Sequence, residues 1–184
     1  SQGIAEMTGM GKKVLERTAV LDAVGNSTAA IGKGFAISSA ALTTIALFAS
    51  YIQITGLASI DLSIPVVMVG LFLGAFVPFL FSSLTMSAVG KAAHEMVKEV
   101  RRQFKEIPEI LQGTAKPDYN KCIEISTEGA IKSMIIPGLI AILFPLAVGL
   151  SLGVEALGGF LAGSIATGFL MAVFMANSGA AWDN

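Results

Sequence analysis

Four residues near the beginning of the chain have the types and spacing to bind a phosphate compound that carries magnesium. Positions i, i+4, i+7 and i+11 of one stretch are occupied by Asp22, Asn26, Ala29 and Lys33. On an α-helix the last three fall within about 40° of the first. Carboxylate and amide oxygens suit Mg²⁺, and a lysine ammonium attracts phosphate oxygens. The alternative is that these side chains only solvate the point where a helix enters the membrane.

Two of the candidates stand at the edges of long uncharged runs. Lys33 directly precedes the uncharged run 34–60. A charge at the edge of a membrane span is costly to keep, so Lys33 is a functional candidate. Asp183 is the first charge after the run 156–182. The two could line one site, although Asp183 beside Trp182 is equally typical of a helix end with an interfacial anchor.

Two other motifs do not fit the chemistry that they first suggest. The glycine-rich stretch 25–34 has six residues between its first glycine and Gly32-Lys33, where a phosphate loop needs four. His94-Glu95 begins like a zinc-protease motif but lacks the second histidine four positions on. Cys122 is the single cysteine, so no cysteine pair or cluster suggests zinc or redox chemistry.

Composition indicates that the elements holding these residues are membrane helices. Of the 184 residues, 54% are hydrophobic and 14% charged, and the mean hydropathy is +0.75. The uncharged runs are 34–60, 62–90, 133–154 and 156–182. Each exceeds the roughly 20 residues that a helix needs to cross a bilayer. The sequence therefore predicts an all-α, polytopic membrane protein with four transmembrane helices, and the net charge of −1 gives no reason to expect a nucleic-acid partner.

The positive residues orient these spans. All 12 lysines and arginines precede the first run or lie between the second and third runs, and none lies near Asp61 or Glu155. Positive residues in short loops are retained in the cytoplasm. We therefore predict that both ends of the chain and the loop 91–132 are cytoplasmic.

The loop and the last span carry further local signals. The stretch 91–104 reads as a charged helical extension of the second span with a solvated face. Pro108, Gly113 and Pro117 should end that helix, and Asp118 is a candidate N-cap for the next one. In the fourth span, small residues recur every three to four positions, which favours close packing against another helix; they are Ala156, Gly159, Gly163 and Thr167.

Several stretches resemble, in order, the signatures of the membrane-integral, ion-pumping inorganic pyrophosphatases. The matching stretches are GIAEM at 3–7, LDAVGNSTAAIGKGFAI at 21–37, EVRRQF at 99–104, KPDY at 116–119 with Cys122 and 125–127, EALGG at 155–159 and AWDN at 181–184. The resemblance implies a two-ring bundle of about sixteen transmembrane helices, in which this chain resembles helices 12 to 15. The chain would then be a single fragment of one membrane domain.

The resemblance also implies roles for the candidate residues. Asn26 and Lys33 match residues that contact magnesium pyrophosphate, Asn26 and Asp183 match metal-site positions, and the carboxylates that activate water lie outside this chain. Hydrolysis of pyrophosphate would be Mg²⁺-dependent and coupled to pumping of Na⁺ or H⁺, and the fragment by itself is expected to be inactive. The potassium-independent branch carries Lys and Thr at the positions of Ala29 and Gly32, so this chain resembles the K⁺-stimulated branch.

Partners and location follow from the same resemblance. The family forms homodimers, and a bacterial inner membrane is the expected location. The glycine- and proline-rich spans with polar entrances leave open a passive ion channel or transporter segment without hydrolase activity, and a purely structural membrane bundle is a further alternative.

Overall fold

The computed structural model describes residues 5–6 and 9–182, and within them it contains helices and turns but no strand. The four long helices are α1 (Lys12–Thr55), α2 (Pro65–Glu106), α3 (Tyr119–Leu152) and α4 (Val154–Ala176). A short 3-10 helix, Pro108–Ile110, lies between α2 and α3, and α4 continues into a π-helical segment, Asn177–Ala181. All four helices are long and apolar enough to cross a membrane. The predicted all-α fold with four membrane-spanning helices is therefore confirmed.

The ends of the first two helices are set by residues with special backbone geometry. Gly56 follows α1 with φ of +70°, a left-handed conformation that ends the helix and that residues with a side chain rarely adopt. The carboxylate of Asp61 then accepts a hydrogen bond of 2.8 Å from the N–H of Ser63. Pro65 opens α2, where its fixed φ suits the first helical turn. Residues 56–64 therefore form the connection between the first two spans.

The described chain divides into two compact units, residues 1–80 with 141–184 and residues 81–140. In the first unit, α2 and α4 approach each other through glycines on both helices. A Cβ atom on Gly70 would overlap the carbonyl of Ala156, and one on Gly74 would overlap the carbonyl of Phe160. A Cβ atom on Gly163 would lie 2.9 Å from the backbone nitrogen of Ala75. The two helices are therefore in backbone contact, as small residues in membrane helices allow.

A hydrogen bond and a small apolar core complete this contact. The hydroxyl of Thr167 donates to the carbonyl of Ala75 at 3.1 Å. Val148, Ala156 and Phe160 form the buried cluster beside it. The prediction that the small residues of the last span allow close approach is confirmed, and the partner is α2.

Helix α1 packs against α4 in the opposite direction. Near the end of α1, the hydroxyl of Tyr51 donates a hydrogen bond of 2.5 Å to the carbonyl of Val154, at the start of α4. Further back along α1, Ala36 and Ala40 line one side of a groove of about 460 Å³, and Gly168 and Ala172 of α4 line the other. The two helices are therefore antiparallel.

In the second unit, the end of α2 packs against the beginning of α3. A Cβ atom on Gly129 would lie 3.2 Å from the Cβ of Ala92, so the two helices are close at that level. The side chain of Asp118 accepts a hydrogen bond of 3.1 Å from the N–H of Lys121, which confirms the predicted N-cap.

Candidate functional site

The polar stripe lies on α1 ahead of its apolar part. Because α1 begins at Lys12, the stretch 22–33 is helical and continuous with the first span. The amide of Asn26 lies 3.5 Å from the carboxylate of Asp22, and both side chains are half-buried. Lys33 is exposed. The helix therefore holds an amide and a carboxylate together, with the ammonium about two turns further along.

The two residues expected to decide potassium dependence are on the same helix. Ala29 and Gly32 are exposed, and a Cβ atom on Gly32 would have no atom within 4 Å. The described part of the chain thus leaves space at this point for a longer side chain or a bound ion.

Asp183, the remaining predicted site residue, lies outside the described residues. The segment that leads to it, Asn177–Ala181, packs against α1. Since α1 and α4 are antiparallel and Ala36 and Ala172 line the same groove, this segment must contact the part of α1 that precedes Ala36. That part contains the polar stripe. The structure therefore brings the approach to Asp183 next to α1 at the level of the predicted site.

The sequence did not predict the π-helical geometry of this segment. The N–H of Trp182 donates to the carbonyl of Asn177 at 2.9 Å, a bond that spans five residues instead of four. Such single π-helical turns are rare and are found frequently at functional sites. Sequence patterns report helical periodicity, which one extra residue in a turn shifts only slightly, so the sequence carries no clear signal for it.

The donor atoms in the described part of this region suit a magnesium ion only in part. Asp22 and Asn26 offer oxygen atoms, the ligand type that Mg²⁺ prefers. Within residues 5–6 and 9–182, no three His, Cys, Asp or Glu side chains lie close enough together to hold a metal ion. These residues therefore fit a role as one or two ligands of an ion whose other ligands are substrate oxygens and water, which is how Mg²⁺ is commonly held at phosphate sites.

A second polar cluster lies in the charged extension of α2, residues 91–106. Both the Nε and a terminal nitrogen of Arg102 donate to the carboxylate of Glu99, at 2.9 and 2.7 Å. The amide of Gln103 donates to Glu99 and to the carbonyl of Asp118, and its oxygen accepts from the N–H of Asp118 at 2.8 Å. The hydrogen bonds from Arg102 and Gln103 lower the pKa of Glu99 to about 2. This cluster joins the end of α2 to the N-cap of α3.

The prediction of a solvated face for this extension is wrong at two positions. Glu99 is 8% exposed and Gln103 is 3% exposed. Each of these buried polar groups has hydrogen-bond partners within the hairpin, and these bonds offset the cost of taking the groups out of water. Gln103 and Asp118 are 15 residues apart in the sequence, so their contact could not be identified from the residue pattern of α2 alone.

Comparison with known proteins places the whole chain in one family. The family model described as inorganic H⁺ pyrophosphatase matches residues 1–184. The chain is 61% identical, over 99% of its length, to a candidate K⁺-stimulated pyrophosphate-energized sodium pump of Clostridium tetani, of which it covers 27%. It is 53% identical, again over 99% of its length, to a K⁺-insensitive pyrophosphate-energized proton pump of Methanosarcina mazei, of which it also covers 27%.

A third relative is the K⁺-stimulated pyrophosphate-energized sodium pump of Thermotoga maritima, which is 48% identical over 99% of this chain. The chain spans about a quarter of the length of these curated relatives. The match to the family model is continuous from end to end, and the four membrane-spanning helices agree with relatives that are membrane pumps. The chain belongs to the inorganic H⁺ pyrophosphatase family.

Proposed function

We propose that this chain is one segment of a membrane pump that hydrolyses inorganic pyrophosphate and uses the free energy to move Na⁺ or H⁺ across the bilayer. Hydrolysis is Mg²⁺-dependent and K⁺-stimulated. The observation that carries the proposal is the packing of Asn177–Ala181 against the part of α1 that bears the polar stripe. It supports a single site built from the two segments with the most specific family resemblance.

Each predicted site residue has a defined task in this proposal. Lys33 attracts the oxygens of pyrophosphate through its ammonium, and Asn26 binds the magnesium-bearing substrate through its amide. Asp183 supplies a carboxylate to the metal site. Magnesium, when bound, neutralises negative charge on the phosphate oxygens and so favours attack by water. The carboxylates that activate this water belong to other segments of the pump, so we expect the chain alone to be inactive.

The potassium dependence rests on Ala29 and Gly32. A small side chain at both positions leaves room for a monovalent cation near the substrate phosphates. We expect K⁺ to occupy this position and to raise the rate of hydrolysis by adding one positive charge there.

The orientation follows from the distribution of lysine and arginine. We propose that both ends of the chain and the loop 91–132 face the cytoplasm of a bacterial cell and that the spans cross the inner membrane. The segment forms part of one membrane domain of about sixteen helices in two rings, and the complete pump is a homodimer.

The test is phosphate release from pyrophosphate by the full-length pump in membranes, with Mg²⁺ and with or without K⁺ and Na⁺. We expect Lys33→Ala and Asp183→Ala each to lower the rate by about 100-fold, the usual cost of removing one group that stabilises transition-state charge. Lys105→Ala is the matched control, because Lys105 is exposed at the end of α2 and belongs to neither segment of the proposed site.

The outcomes separate the hypotheses. Unaltered hydrolysis in both variants would contradict the assignment of Lys33 and Asp183 to the site, but it would not contradict the proposal that the protein is a pyrophosphate-driven pump. No hydrolysis by the unmodified pump under any of these ions would contradict the enzyme and favour the passive channel or transporter.

A further inference from the structure

A polar groove in the second unit lies between α2 and α3 where both helices leave their uncharged runs. The groove measures about 390 Å³, and its charged lining residues are Lys91, Glu95, Glu128 and Lys132. Lys91 is the first charge after the run 62–90, and Lys132 is the last charge before the run 133–154. The groove therefore opens at the boundary between the apolar and the charged parts of both helices.

The antiparallel register arranges these charges in two layers. Ala92 of α2 contacts Gly129 of α3, and further along the hairpin Gln103 bonds to Asp118. In that register the levels along the hairpin run in the order Lys132, Lys91, Glu128 and Glu95, each about 3 Å beyond the last, so the two lysines form an inner layer nearer the bilayer and the two glutamates form an outer layer. Four residues separate lysine from glutamate on each helix, so the layers are about 6 Å apart.

Three of these four charges have an ion-pair partner on their own helix. Glu128 pairs with Lys132 on α3, and Glu95 pairs with Lys98 on α2 at 2.8 Å. Lys91 makes no hydrogen bond or ion pair with the described residues. No ion pair joins α2 to α3 across the groove in this part of the structure, so the two layers offer a site for an anion nearer the bilayer and for a cation one turn further out.

We propose that this groove binds the headgroup of a zwitterionic phospholipid that carries a primary amine. The phosphate lies between Lys91 and Lys132, and the ammonium lies between Glu95 and Glu128. In such a lipid the phosphate is nearer the acyl chains than the amine, which is the order of the two layers. Ser133, which also lines the groove, offers a hydroxyl to the phosphate. The four lining charges sum to zero, as do those of the headgroup.

The experiment is native mass spectrometry of the purified full-length pump in mixed micelles that contain phosphatidylethanolamine, phosphatidylcholine and phosphatidylglycerol. We expect phosphatidylethanolamine to be retained in preference to both others. Phosphatidylcholine has the same net charge but no N–H donors, and phosphatidylglycerol has the phosphate but no amine. Equal retention of phosphatidylcholine, or stronger retention of phosphatidylglycerol, would overturn the proposal.

Charge-neutral variants test the two layers separately. We expect Lys91→Gln to lower retention of phosphatidylethanolamine about fivefold, the effect of one basic residue near a phosphate surface. Glu128→Gln should lower the preference for phosphatidylethanolamine over phosphatidylcholine. The matched controls are Lys105→Gln and Glu124→Gln, which make the same changes outside the groove and should alter neither ratio. Equal losses in the controls would contradict a specific site.

Pyrophosphate hydrolysis by each variant serves as the check on folding. Lipid retention is read directly from mass, so this result does not depend on whether the hydrolase assignment is correct. Retention that is unchanged in an active Lys91→Gln, Lys132→Gln double variant would rule out the groove as the binding site.

Discussion

Ala29 has a small side chain at one of the two positions that we propose determine whether hydrolysis is stimulated by potassium. It is exposed on α1, between Asn26 and Lys33 along the chain. A lysine at this position would bring its own ammonium to the place proposed for the ion. One covalently attached positive charge would then replace one bound from solution.

We therefore expect Ala29→Lys to abolish the stimulation of hydrolysis by K⁺ in the full-length pump. The measurement is the rate of phosphate release as a function of K⁺ concentration. Ala29→Met is the control, because it adds similar length without charge and should not make hydrolysis independent of K⁺. Stimulation that persists unchanged in Ala29→Lys would contradict the potassium assignment.

Glu99 gives a prediction about pH. Its pKa is about 2, below its ordinary value of 4.5, because Arg102 and Gln103 donate hydrogen bonds to the carboxylate. The ionised group therefore stabilises the hairpin fully above about pH 4.5, and this contribution is lost as the pH falls through about 2. Residues 99–103 lie in the charged extension of α2, outside the uncharged run 62–90.

The measurement is hydrogen exchange of the amide of Asp118, which donates to Gln103. After correction for the intrinsic rate, we expect protection to fall from pH 5 to pH 2. Glu99→Gln should lower protection at pH 5 and remove most of the pH dependence. Glu109→Gln, a change at an exposed carboxylate of the neighbouring 3-10 helix, should leave the profile as it is.

At the scale of elements, the contact between α2 and α4 depends on glycines from both helices. The periodicity of small residues on α4 was visible in the sequence and was confirmed. Its partner was not identified from the sequence: Gly70 and Gly74 form a GxxxG motif on α2, but such a motif marks a close-packing face without saying which helix it meets. Partner choice between membrane helices is a property of shape, which only the assembled backbones define.

We expect Gly74→Ala to destabilise the α2–α4 pair by about 1–3 kcal/mol, the usual cost of overpacking a tight interface. The added methyl group would overlap the carbonyl of Phe160. Gly138→Ala is the control: its Cβ would have no atom within 4 Å, so the higher helix propensity of alanine should leave stability equal or slightly higher. Unfolding of the pump in mixed micelles measures the difference. Equal behaviour of the two variants would show that the backbones are not in contact at Gly74.

For the molecule as a whole, hydropathy and charge predicted the class of fold because both act over long stretches. Twenty or more uncharged residues leave few alternatives to a membrane helix. The buried Glu99 and Gln103 and the π-helical turn could not be predicted in this way, because each depends on one local contact. The pairing of Asn26 with Asp22 lies between these cases, since helical spacing suggested it and the structure places the two side chains 3.5 Å apart.

The predicted orientation can be tested by labelling single cysteines in whole cells. In a background without other cysteines, Ser63→Cys, in the turn between α1 and α2, should react with a membrane-impermeant maleimide from outside. Cys122, near the start of α3, should react only after the membrane is made permeable. Reaction of Cys122 in intact cells would reverse the proposed topology.

The π-helical turn at Asn177–Ala181 has a consequence for insertions and deletions. A π-helical turn holds one residue more than an α-helical turn, so removing one residue can restore a regular α-helix instead of breaking it. A π-helical turn that holds the extra residue and an α-helical turn without it advance the chain by nearly the same rotation, so the residues that follow would keep their direction around the helix axis. We therefore expect deletion of Gly179 to yield a folded pump that still hydrolyses pyrophosphate, measured as phosphate release. Deletion of one residue from the regular part of α4 would instead turn every later residue by about 100° around the helix axis and should abolish hydrolysis.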